Sequence, residues 1–534
     1  MRHLRSRALL LGLGAALILG NAPQREAFAQ KQGGVLTFVV ASNPPSYDGH
    51  QETTFGVIHP FAPMYSLLIR VDPDNPSSPN LVCDLCEGEV PEPTDNGTTF
   101  TFKIRTDVKF HDGTPLTAAD VAASLNKQIF PPEGVPSAHK AIFVMVDSVN
   151  APDPQTVVIK LKYPSGAFLP ALATPFNWIY SKKDLDTHGY SWHRQHINGT
   201  GPFRFVSHEA GSSVEGARYE DYHHKGQPYL DGYKAVIAPK MSVRLQAIRG
   251  DRAAIEFRGF PPAARDDLVK ALGDKITVQE SDWNCGNLVT FNHLMKPFDD
   301  PRVRRALNLA IDRWTGSEFL SKVAVVRTVG GVAFPGHPLA ATREELEQIE
   351  GLWPDIEKSR ELARQLLKES GHENLKLDLH NRAVDQPYKY VGTWVIDQWR
   401  QIGVQATQVA VPTGAWYDKY RKTRDFDVGI EANCNSVVNP LSDISKFTCD
   451  ADDNYSNCKN PKLTELYVEM NKEPRFERQR ELMREFEREL FNNAHIVHAL
   501  WWYKINPHRS YVKGWKIAPS HYLNQQLDNI WLEK

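Results

Sequence analysis

Arg2, Arg5 and Arg7 precede a 13-residue apolar run, Ala8 to Gly20, and the small-residue pattern Ala27-Phe28-Ala29 follows it. That order of charge, apolar stretch and cleavage pattern reads as a secretory signal covering residues 1–29. The run falls short of the roughly 20 residues of a membrane-spanning helix, and no later stretch approaches that length. The expectation is a chain that folds after export, from Gln30 onward. It is expected to be released rather than lipid-anchored, because no cysteine stands at the cleavage point. Folding outside the cytoplasm puts Cys83, Cys86, Cys285, Cys434, Cys449 and Cys458 in an oxidising compartment, where disulfides are the default.

Six cysteines allow 15 pairings, and sequence alone cannot choose among them. Local spacing favours Cys449 with Cys458, across the polar loop 450–457. Cys83-Asp-Leu-Cys86 has redox-motif spacing, but Glu87-Gly88-Glu89 and Pro91 follow it. Thioredoxin-like chemistry needs a helix N-terminus there to lower the thiolate pKa. A structural bridge or unpaired thiols are expected instead.

With 534 residues, 41% hydrophobic and 24% charged, the chain is an ordinary globular one, long enough for two to four packed units with clefts between them. Without residues 1–29 it keeps 58 basic and 63 acidic side chains, a net charge of about −5. No cationic stripe is present, so a nucleic-acid partner is not expected.

Periodicity points to mixed α/β organisation. Val35 to Val40 is a β-rich run, and 98–110 alternates with Phe100, Phe102 and Ile104 on one face, a half-buried strand. Thr117-Ala-Ala-Asp120 is a capping box opening a helix toward Phe130. Gln155 to Lys162 is a further strand. Helices are expected from Ser242 to Arg249, Pro301 to Asp312, Ser359 to Ser370 and Tyr388 to Ile402, with Gly250, Gly371 and Gly403 at their ends. Strand runs at Leu375–Leu379 and 404–411 flank the last helix, making a βαβ-like unit.

Enzyme signatures are missing: the chain has no G-x-S-x-G elbow, no G-x-x-x-x-G-K-[ST] phosphate loop and no H-E-x-x-H zinc helix. Gly199-Thr200-Gly201-Pro202 precedes a short strand, Phe203 to Val206, and reads as a tight turn. His193/His196, His223/His224 and His495/His498 are the pairs that suggest metal ligation. In a β segment such as 495–501, however, i and i+3 point to opposite faces. Most of these read as hydrogen-bonded histidines in loops or cores, and neither metal nor cofactor is expected. The 12 Trp, 18 Tyr and 24 Phe are the richer signal, clustered at Trp283, Trp416/Tyr417 and Trp501-Trp502-Tyr503. Such rings can wall an organic ligand or fill a core.

The run Thr99-Phe-Thr-Phe-Lys-Ile-Arg-Thr-Asp-Val-Lys-Phe-His-Asp-Gly-Thr-Pro-Leu-Thr-Ala-Ala-Asp-Val121 resembles the signature of the family-5 extracellular solute-binding proteins. These are the large peptide, nickel and opine receptors of ABC importers. Gly199-Thr-Gly-Pro-Phe203, Ala247-Ile-Arg-Gly-Asp251, the stretch Phe298 to Asp312, Leu366-Leu-Lys-Glu-Ser-Gly371 and Gln401-Ile-Gly-Val404 are similar to family motifs and occur in the same order.

The resemblance implies a two-lobed α/β periplasmic binding protein of type II, closing like a hinge. Lobe I would comprise 30–68, 195–282 and 505–534, with an inserted subdomain at 69–194, and lobe II would comprise 283–504. Crossings near 283 and 504 would bring Trp283, Trp501, Trp502 and Tyr503 to the hinge and cleft. The oligopeptide branch carries an aspartate two residues after a strand cysteine, and it pairs with the peptide ammonium. Here Cys434 is followed by Asn435 and Ser436, so that anchor is missing unless a carboxylate such as Glu431 or Asp48 replaces it. Cys434 also matches the branch's bridge cysteine, which implies Cys285–Cys434.

Arg382, after the Leu375–Leu379 run, suits bidentate carboxylate recognition. Asn435 and Ser436 could bond a polar or zwitterionic group, and Tyr47 could form another wall. The expected function is therefore a non-catalytic periplasmic receptor of a Gram-negative cell. It would be a monomer that captures a small polar solute (peptide-like, opine-like or an amino-acid derivative) for an ABC permease. A nickel or metallophore carrier of the same family and an exported hydrolase are the alternatives.

Overall fold

The structure, a computed structural model, describes residues 30–534, with side chains at all but 282–284 and 421. The expected signal segment, 1–29, lies outside the described residues. None of the described helices is long and apolar enough to cross a membrane.

Val35–Val40 pairs in parallel with Gly232–Ile237, and the sheet continues antiparallel through Ser213–Arg218 to Phe203–Glu209. A second, antiparallel sheet holds Thr99–Lys103, Thr156–Leu161 and Val146–Asp153. Phe100 and Phe102 face inward and Thr101 and Lys103 outward, the alternation read from sequence. The strand stops at Lys103 rather than 110. Ile104 makes only an isolated bridge to Cys86, and Arg105 turns back onto Asp107 at 2.7 Å. Helix Ala118–Ile129 follows with both arms of the Thr117/Asp120 capping box formed.

The third sheet has six strands, in the order Val326–Thr328, Ile496–Arg509, Ile276–Phe291, Val428–Cys434, Lys376–Arg382, Gln405–Val411. Its last two strands are parallel and joined through helix Tyr390–Arg400, the expected βαβ unit. The other expected helices form with shifted ends. One begins at Met241 with Lys240 as a cap that makes no side-chain bond, so Ser242 is not the cap. Asp300 caps Pro301–Leu309, which stops short of Asp312 because that carboxylate accepts from the backbone and hydroxyl of Thr315. Asp355 starts Ile356–Glu369 three residues before Ser359 by accepting from the Lys358 amide.

Ile276–Phe291 and Ile496–Arg509, antiparallel to each other, link two bodies. One end meets the 254–260 segment through Arg509 N to Ala254 O and Phe260 N to Ile505 O, and the other lies inside the six-stranded sheet. Their ladder is irregular between Asp282 and Gly286. The two largest apolar cores among the described residues draw on both bodies: Phe38 and Phe257 share one with Leu307 and Trp399, and Phe100 and Val121 share the other with Met470 and Phe486. All six cysteines are bridged, as Cys83–Cys86, Cys285–Cys434 and Cys449–Cys458.

The Gly199-Thr-Gly201 turn is a close backbone approach. A Cβ on Gly199 would lie 2.0 Å from the Met64 carbonyl oxygen, and one on Gly201 would lie 2.4 Å from the Tyr65 nitrogen. Gly199→Ala must push these chains apart. It is expected to cost about 1–3 kcal/mol in urea denaturation, and an unchanged midpoint would refute the contact.

Candidate functional site

Where the bodies meet, a small cavity of about 40 Å³ separates Thr53, Phe176 and Tyr522 on one side from Asn433, Ser436, Asp443 and Lys446 on the other. That is room for about a water molecule, so the seam is closed. Beside it a cavity of about 610 Å³ runs between Gln51, Ser137 and Arg194 and the opposing Tyr417, Asp418 and Arg424. Its size is within the range of small-molecule sites.

Strand Lys376–Arg382 delivers Arg382 into this region. Its side chain is buried, the residue being only 4% exposed. Nη2 donates to the Tyr417 hydroxyl at 2.5 Å, and the guanidinium lies 4.8–4.9 Å from the rings of Tyr388, Trp416 and Tyr417. Nε and Nη1 have no hydrogen-bond partner, and no carboxylate pairs with Arg382 among the described residues. The Tyr417 hydroxyl also reaches Thr53 Oγ1, at 3.5 Å, from across the seam.

Arg258 approaches from the other body. Its Nη1 donates to the Gln386 carbonyl at 2.9 Å, while Nε and Nη2 have no partner. Its guanidinium packs 3.9 Å from the Phe55 ring centre, 5.2 Å from Trp502 and 5.8 Å from Tyr388. Burial lowers its pKa to about 10, with Arg382 among the neighbours that add to the shift. Two buried guanidinium groups thus share the Tyr388 ring. Aromatic faces offset part of their desolvation, but each keeps two donor atoms free.

The opposite charge stands at Asp443. Its carboxylate accepts from the Ser436 backbone N–H and from the Ser436 hydroxyl, both at 2.9 Å. No cation pairs with it among the described residues. Burial, with Asp453 adding to it, pushes its pKa up to about 7. The two carboxylates considered from sequence are both engaged: Asp48 pairs with Lys127 at 2.8 Å, and Glu431 pairs with Lys446 at 3.0 Å. Asn435, 1% exposed, leaves both side-chain polar atoms without partners. Tyr522 lies within electrostatic range of both Arg382 and Asp443, and its hydroxyl donates to the Thr53 carbonyl at 2.8 Å.

The remaining sequence candidates divide. Trp502 lines this region, with Nε1 on Asn287 and its ring parallel to His521. Trp501 points to the other face of the strand, donating to the Gly331 carbonyl at 2.9 Å. Trp416 stacks on Tyr420 beneath Arg382. Tyr47 turns away, bonded to His208 at 2.8 Å and packed on Phe61. The Trp283 side chain lies outside the described residues. His521 Nδ1 sits 3.4 Å from Cys285 Sγ, but that sulfur is committed to the disulfide with Cys434 and is no thiolate ligand. Sequence reasoning missed Arg258, Tyr388, Asp443 and Tyr522, because no local motif marks residues drawn from four separate segments.

Residues 80–455 match the family model for bacterial extracellular solute-binding proteins, family 5. The glutathione-binding protein GsiB of Pectobacterium atrosepticum is 29% identical over 320 residues, 60% of this chain and 59% of that protein. The chain thus spans about three fifths of the length of such relatives. The fold is similar to that of the periplasmic binding protein DppA from Helicobacter pylori in complex with the peptide STSA, at TM-score 0.81 and 20% identity over 94% of this chain and 99% of the other. It is also similar to AgaA from A. tumefaciens R10 in complex with agropinic acid, at TM-score 0.79, 20% identity and the same coverage. These likenesses carry the two-lobed type II periplasmic binding fold expected from sequence. With its family signature matched over most of its length, the chain belongs to the bacterial extracellular solute-binding proteins, family 5.

Proposed function

We propose that this protein is the capture receptor of an ABC importer, exported to the periplasm and not itself catalytic. In this reading 30–68, 195–282 and 505–534 form one lobe with 69–194 inserted, and 283–504 form the other. The lobes open about the irregular ladder near Asp282, admit a small zwitterionic solute and close on it. The closed form is then presented to the membrane permease. Ligand contacts from both lobes favour the closed state in proportion to their differential affinity for it.

The observation that carries the reading is Arg382, a buried cation in the seam with two free donor atoms and no carboxylate partner among the described residues. Keeping an unpaired charge out of water is costly, and a ligand anion would offset that cost. Arg258 offers a second such group, and Asp443 offers the complementary anion. Two cations and one carboxyl suit a peptide-like solute with more than one carboxylate and an ammonium. Glutathione, for which the relatives are named, has that charge pattern.

Calorimetry of the purified protein with glutathione, di- and tripeptides and opines tests this. One of these is expected to bind one to one, and mass spectrometry of the protein as isolated is expected to find a related zwitterion. Hydrolysis of any of them, with no lasting complex, would overturn the reading.

A further inference from the structure

Away from the seam, three metal-ligating side chains converge on one point. Asp84 lies in the loop closed by the Cys83–Cys86 disulfide, and its Oδ1 is 3.2 Å from His223 Nε2 and 3.1 Å from His224 Nε2. All three ligand atoms lie within 4.8 Å of one another. In tetrahedral coordination, bonds of about 2.0–2.1 Å put neighbouring ligand atoms about 3.3 Å apart. The two N···O separations are already at that edge length.

We propose that Asp84, His223 and His224 form a binding site for a divalent transition cation of the zinc class, with a fourth, solvent position. The donor set of two imidazoles and one carboxylate suits zinc, and three protein ligands leave one place open. Asp84 and the His223 side chain are 1% exposed, whereas the His224 side chain is 25% exposed, which provides the approach for ion and water.

The support behind the ligands is built in. Asp84 Oδ2 accepts from the Leu67 amide at 2.8 Å, so Oδ1 is held toward the histidines, and the disulfide restrains the loop. Such outer contacts tune metal sites. The nearby positive charge of Arg70 is balanced by Asp528 at 2.9 Å, which also accepts from the Tyr222 hydroxyl at 3.1 Å. Both Nε2 atoms face Asp84, and ligation would need each of them unprotonated, with the ring proton on Nδ1. The site would clamp the loop at 83–86 to the segment before Pro228, within the first lobe and apart from the solute.

The test is titration of untagged, chelator-treated protein with zinc chloride alone, on wild type and His224→Ala. Wild type is expected to bind one equivalent and melt at a higher temperature with zinc. His224→Ala is expected to bind at least tenfold more weakly and lose that shift. X-ray absorption at the zinc edge of the wild type, which needs no variant, should show two imidazoles. No bound zinc, equal binding by the variant, or a zinc shell without imidazole would overturn the proposal.

Discussion

Replacing Arg382 by methionine is expected to weaken solute binding by about 3 kcal/mol or more, roughly two orders of magnitude in Kd. The same change is expected to leave the melting temperature of the ligand-free protein unchanged or a few degrees higher. Both signs come from one fact, a guanidinium buried among Tyr388, Trp416 and Tyr417 with no carboxylate to pair with among the described residues. In the free protein its desolvation is offset by ring faces and the Tyr417 hydroxyl, so an apolar side chain of similar length relieves the fold. In the complex a ligand carboxylate would accept from the free Nε and Nη1, and methionine removes that charge-assisted pair. Lysine would restore the charge but not the fork of donors, and should recover little affinity. Calorimetry and thermal melts of both variants check this. Retained affinity in Arg382→Met would remove Arg382 from the site.

At Asp443 the expected signature is in pH. With its pKa pushed up to about 7, the free protein holds a proton there below neutrality. A bound ammonium would favour the ionised form, so binding below pH 7 must expel that proton. Affinity for a cationic solute should then fall by up to about tenfold per pH unit from 7 toward 5 and level off above 7. The stability sign is opposite. A carboxyl whose folded pKa is raised contributes stability below its unfolded pKa of 3.8, and that contribution is lost as pH rises through 7. The charged groups nearby are Asp453 and Lys446, and Lys446 stays protonated because Glu431 and Asp453 hold its pKa up. Asp443→Asn should keep the Ser436 contacts. It should also lose about 1.5–3 kcal/mol of binding at pH 8 and flatten the profile. A wild-type affinity that does not change between pH 5 and 8 would sink the assignment.

The substitution at Ser436 thus has a different meaning in three dimensions than along the chain. Read linearly, the residue two after Cys434 is uncharged and an anionic anchor is missing. In the fold that serine donates twice to Asp443, so a carboxyl stands beside the position after all. The chain between them turns through Pro440–Ser442, and nothing in the local pattern fixes where that turn ends. Arg382 shows the converse. Its residue type and its place at a strand end were legible, but its burial depends on helix Thr413–Asp418 supplying Trp416 and Tyr417.

What the sequence by itself determined is local or covalently constrained. Period-two alternation identified the Thr99–Lys103 strand, the Thr117/Asp120 box started its helix, and nine-residue spacing paired Cys449 with Cys458. These follow from interactions within a few residues, where spacing alone sets which groups can meet. The ordered family motifs carried the fold and the Cys285–Cys434 bridge, whose partners are 149 residues apart. Only the tertiary structure decided that Arg258 and Arg382 flank one tyrosine, that Trp502 and not Trp501 faces the seam, and that two histidines meet Asp84. Those contacts join segments more than 100 residues apart or turn on which face a strand presents. Both are set by packing and burial of the whole chain rather than by any local preference.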